Sequence, residues 1–170
     1  AAAADPACAL CYWGLAWSLG PNINADMDAA AAERVRAALA QARRLAPRGT
    51  PRTRALIGVL SARHPSSGDP LVPDEEAYAR RMGAAAQAHP RDADIAVLAA
   101  EAQMNLRPYD WWDRDGTPRA WTPEIRKLLA RALESSPRHP GANHYWIHLI
   151  EPSPRRGEAI ARADRLRDLV

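Results

Sequence analysis

Four prolines close alanine- and leucine-rich stretches of this chain: ADP at Pro6, RRLAP at Pro47, QAHP at Pro90 and ESSP at Pro137. They fall 41, 43 and 47 residues apart. Proline has no amide hydrogen and clashes with the preceding turn, so it marks where helices stop. The alanine and leucine between the prolines favour helix. After Pro6, Pro90 and Pro137 the chain restarts promptly as ACALCYWGLAWSLG, RDADIAVLAAEAQMNL and RHPGANHYWIHLIE. A periodic alternation of helix and breaker leaves little room for a sheet, so the fold class is all-α.

A helix ending at proline, a short turn and a second helix make a tetratricopeptide-type unit, here longer than its usual length of about 34 residues. The reading is an α-solenoid of antiparallel pairs with about eight helices, at 7–19, 29–46, 51–63, 74–89, 92–105, 122–136, 140–150 and 155–169. One repeat domain then covers 1–170, since each pair needs its neighbours to bury its apolar face. Asp5, Asp28, Thr50, Asp74 and Thr122 stand where helix N-caps belong, with Pro51 and Pro123 as first-turn prolines. Small residues at Ala84–Ala86 and at Ala99, Ala100 and Ala102 let helices approach closely. Leu39, Leu45, Leu56, Leu60, Leu98, Leu128, Leu129, Leu133, Ile147 and Leu166 supply bulk.

Two segments interrupt the rhythm. SSGDPLVP (66–73) is a turn-rich connector. The segment 105–121 carries Tyr109, Trp111, Trp112 and Trp121 in a chain without phenylalanine. A loop this apolar folds back on a helical surface, either as a packed plug or as one wall of a groove.

Net charge is +3, with acidic residues interspersed among the arginines and Lys127 as the sole lysine. No basic stripe with interleaved aromatics is present, which argues against nucleic acid. No apolar run approaches the roughly 20 residues that span a bilayer. The start lacks the order of a signal peptide, and ADRLRDLV stops without a helix stop signal, so the chain reads as an internal piece of a longer protein.

DPACALCYWGLAWSLGPNINADMD, AAEAQMNLRPYDWWDRDGTPR and RHPGANHYWIHLIEPSP followed by EAIARADRL resemble a family of bacterial tetratricopeptide repeat proteins. In that family a CxxCYWG helix with GPNIN, a LRPxD loop and an HxxxHxxE helix occur in this order, and the likeness spans nearly the whole chain. It implies the helical-repeat architecture, an exported or periplasmic setting, and longer proteins with more repeats. It implies no reaction.

Three groups of residues bear chemistry. His144, His148 and Glu151 share one helix face at spacings of four and three, the way a helix presents metal ligands. The glutamate base of an HExxH zinc helix is absent, since residue 145 is Tyr. The set instead matches carboxylate–imidazole sites for zinc, copper or iron, with Glu101 one repeat away as a further donor. The bland alternative is that the histidines bond backbone or aromatic partners while Glu151 caps the break at Pro152.

Cys8 and Cys11 form a CxxC without the histidine of haem attachment. They pair as a disulfide or lie as two small buried thiols in preference to redox catalysis, because the βαβ context of thioredoxin-like chemistry is lacking. Asn22, Asn24 and Asn105, with Trp13, Glu101, Trp111, Trp112 and Tyr145, are candidates for a concave face that binds an extended peptide. No Ser/His/Asp nucleophile set, phosphate-binding glycine loop or nucleotide motif occurs. The expectation is therefore a non-enzymatic scaffold that binds a protein or peptide, and the alternative is a metal-binding protein or metalloenzyme.

Overall fold

The computed structural model describes residues 1–167 and contains, among them, eight α-helices and no strand. These are α1 (Ala9–Leu19), α2 (Ala29–Leu45), α3 (Pro51–Arg63), α4 (Glu75–Ala88), α5 (Ala93–Leu106), α6 (Thr122–Ser135), α7 (Pro140–Ile150) and α8 (Gly157–Arg167). A short 3₁₀ turn, Ala46–Arg48, holds Pro47. Every expected helix is present with ends within two residues, and the last two residues of the expected 155–169 helix lie outside the described residues.

Capping explains the boundaries and contains two corrections. Asp28, Thr50 and Asp74 accept from the amides of Ala31, Thr53 and Ala77, as their positions suggest. Asp5 does not cap α1, because its carboxylate is held by the Ala7 amide, and Cys8 takes the N-cap instead. Thr122 is already helical, and Trp121 precedes it as the cap. Its hydroxyl donates to the Trp111 carbonyl, so it is committed to the aromatic loop. Two caps escaped the sequence: Asp92 for α5, and His139, whose Nδ1 accepts from the Ala142 amide 3.2 Å away.

The chain groups into two compact units, Ala1–Arg81 and Met82–Val170, with the division inside α4. In the first unit α1 packs on α2 and α3. Ala9, Ala42, Leu45 and Ile57 form its apolar cluster, with Tyr12 and Trp13 against them. The Trp13 indole donates to the Leu56 carbonyl (3.1 Å) and stacks on Trp17. Gly20 ends α1 by returning its amide to the Ala16 and Trp17 carbonyls.

In the second unit α5 packs on α6 and α7, α6 on α7, and α7 on α8. Residues 95–102 of α5 are all buried, so this helix is enclosed on every side. Its approach to α7 is close. A side chain at Gly141 would come within 3.2 Å of Val97, and His139 Nε2 lies 3.1 Å from Asp94 at the helix starts. With Nδ1 accepting from Ala142, the ring nitrogen facing Asp94 is the protonated one.

The 107–121 loop folds back, as its composition requires. Trp111 is fully buried. Trp112 donates from its indole to the Leu149 carbonyl (2.6 Å), one of the last α7 carbonyls that have no partner within the helix. Trp121 donates to Asp110, Arg107 stacks over the Trp121 ring, and Arg119 joins Asp110 and Asp113. At the tip, Gly116 has φ +86° and lies so close to Pro154 that any side chain there would overlap it.

Candidate functional site

The best candidate site lies on α7 and the loop against its C-terminal end. His144 and His148, four residues apart, bring their rings edge to face with centroids 4.7 Å apart. Tyr145 meets His144 at 5.3 Å, and Tyr109 meets His148 edge-on at 6.4 Å. Tyr109, Trp111 and the two histidines therefore form a continuous row of rings, closed at one end by Tyr145. Tyr109 is 47% exposed and takes a positive φ of 59°, a backbone state that non-glycine residues rarely occupy. His144 is exposed, while His148 and Tyr145 are half-buried.

His148 Nδ1 is 3.1 Å from Glu151 Oε1, so the spacing of three does place imidazole and carboxylate together. Partial burial, then the neighbouring His148, holds His144 below the ordinary histidine pKa, and Glu151 opposes this. The three side chains do not converge on one point: among the described residues no group of three His, Cys, Asp or Glu could hold a metal ion.

Glu101 lies on α5, which does pack against α7, but the carboxylate is 1% exposed and accepts a hydrogen bond from the Asn105 side-chain amide. Asn105 and Trp111 are buried as well, so these three expected groove residues lie inside the second unit rather than on its surface. Trp112 is half-buried and engaged with Leu149. In the first unit, Asn22 and Asn24 are exposed in a small turn where Asn22 accepts from the Asn24 amide. Trp13 is partly buried against the core. Cys8 and Cys11 are joined as a disulfide.

A polar cluster in the first unit was not apparent from the sequence. Arg63, 1% exposed, reaches Glu75 at 2.7 Å and the Pro21 carbonyl at 2.8 Å, and lies over the Tyr78 ring. Its neighbour His64 is 6% exposed, with Nε2 against Gly20. Burial, and then the Arg63 guanidinium, pushes His64 down from the usual 6.5 to about 4. Arg63 and Glu75 are separated by a turn-rich connector with no motif, so only the folded chain brings them together.

His64 sets a pH dependence. Unfolded, it binds a proton as pH falls below about 6.5; folded, it stays neutral until about 4. Its contribution is therefore fully present above 6.5 and lost as pH falls toward 4, by about 2–3 kcal/mol at pH 4.5. Denaturant melts of wild type and His64→Gln at pH 7 and 4.5 should show a smaller acid loss in the variant. Equal losses would mean that His64 is not held neutral.

Scans against protein-family models, curated proteins and solved structures found no match for this chain.

Proposed function

We propose that this protein is an interaction scaffold of the tetratricopeptide repeat type, which binds an extended protein or peptide segment over α7 and the 107–121 loop. The observation that carries the reading is the row of rings from Tyr145 through His144 and His148 to Tyr109, offered at the surface of an otherwise closely packed helical unit. Aromatic and imidazole rings suit apolar or aromatic peptide side chains, at low cost in side-chain entropy because the rings are already held. The packing of α5, α6 and α7, in which each helix touches the other two, supports the helix-pair repeat.

Panning of a random peptide library tests this. Wild type should enrich a sequence class that the triple variant Tyr109→Ala/His144→Ala/Tyr145→Ala loses, with helical circular dichroism retained. Enrichment that survives the triple variant, or none at all, would remove the reading.

A second reading is favoured by the 3.1 Å His148–Glu151 contact beside His144. In it these residues contribute to a site for zinc, copper or iron that draws further ligands from elsewhere. Calorimetric titration with each metal should then give stoichiometric uptake that His148→Ala abolishes; no uptake would leave the scaffold alone.

A further inference from the structure

The Cys8–Cys11 disulfide has no part in the reading above. Cys8 is the N-cap of α1 in an extended backbone state, and its Sγ accepts from the Cys11 amide at 3.0 Å. Both cysteines are half-exposed. The first turn of α1 carries no acidic residue, and the carboxylate upstream, Asp5, is engaged by the Ala7 amide.

The bond spans a separation of only three residues. Disulfides stabilise mainly by restricting the unfolded chain, and the effect grows with the loop they close. A link this short joins no two helices and stabilises less than a bridge that closes a long loop. Its position accounts for a chemical role. When the bond opens, the Cys8 sulfur keeps the Cys11 amide and the positive end of the α1 dipole, both of which favour a thiolate. Cys11, a turn further in, has neither advantage.

We propose that Cys8 and Cys11 form a reversible thiol–disulfide exchange site, with Cys8 as the exchanging sulfur and a disulfide-bearing molecule as co-reactant. In the reduced protein, the Cys8 thiolate attacks one sulfur of the co-reactant. A Cys8–S–S–R bond forms, the co-reactant's S–S bond breaks, and RS⁻ leaves to take a proton. Cys11 then loses its proton to water and attacks Cys8 Sγ, which restores the internal bond and releases a second RS⁻ that is protonated in turn. Two electrons pass from the protein dithiol to the co-reactant, and the reverse sequence reduces the protein.

The test uses the whole chain, reduced with dithiothreitol, desalted without oxygen and pulsed with iodoacetamide at pH 7. Mass spectrometry of the digest should show Cys8 alkylated about tenfold faster than Cys11, as the lower-energy thiolate requires. In glutathione redox buffers the pair should open and close reversibly with helical circular dichroism unchanged. With oxidised glutathione, Cys11→Ser should hold a stable mixed disulfide at Cys8. Equal alkylation rates, or loss of helical signal on reduction, would overturn the proposal in favour of a structural link.

Discussion

Arg63→Ala should destabilise the first unit by about 3–5 kcal/mol, the usual cost of removing one partner from a buried ion pair. The guanidinium is almost completely buried and serves three groups at once: the Glu75 carboxylate, the Pro21 carbonyl and the Tyr78 ring. Its loss leaves a cavity, a half-buried carboxylate without its counter-charge, and the turn after α1 untethered from the end of α3. Arg63→Lys keeps the charge but not the planar fork that reaches Glu75 and Pro21 together, so it should recover only part of the stability. Hydrogen exchange across α1, α2 and α3 reads the effect locally. Protection equal to wild type in Arg63→Ala would show that the pair contributes nothing net.

Trp111→Ala should cost about 3–5 kcal/mol in the second unit, the range for deleting a large buried aromatic side chain. Trp111 is among the largest fully buried side chains, and its carbonyl receives both the Thr122 hydroxyl and the Arg119 amide. Trp111→Phe should cost much less, because the buried indole nitrogen has no acceptor to lose. Comparing the two variants in urea melts separates lost volume from lost hydrogen bonding. Similar losses in both would mean that the indole's shape, rather than its bulk, supports the loop.

The helices were legible because the chain punctuates itself. Pro47, Pro90 and Pro137 fall in or just after turns, and Asp28, Thr50 and Asp74 sit one residue before helical segments that need an acceptor. Orientation was less legible. In α5 the run from Ile95 to Ala102 is apolar on every side apart from Glu101, so its periodicity could not tell a groove-facing position from an enclosed one. Glu101 and Asn105 bond each other one turn apart, a local contact that competes with any role toward α7. The spacing of His148 and Glu151 did give their contact, since both lie on one helix and need no tertiary information. Arg63, His64 and Glu75 could not be found that way, because their meeting depends on how the 66–74 connector returns the chain.

The anchors of the 107–121 loop carry a consequence for synthesis. Trp112 closes on the carbonyl of Leu149, a sequence separation of 37 residues, and Gly116 closes on Pro154. A ribosome adding about 5–20 residues per second therefore leaves Trp112 without its final partner for some ~2–7 s after it is made. Until α7 arrives, Trp112 has no Leu149 carbonyl to reach and the loop tip has no Pro154 to close on. This stretch is where a nascent chain would need a holding chaperone, and where crowding on a polysome would first show as aggregation.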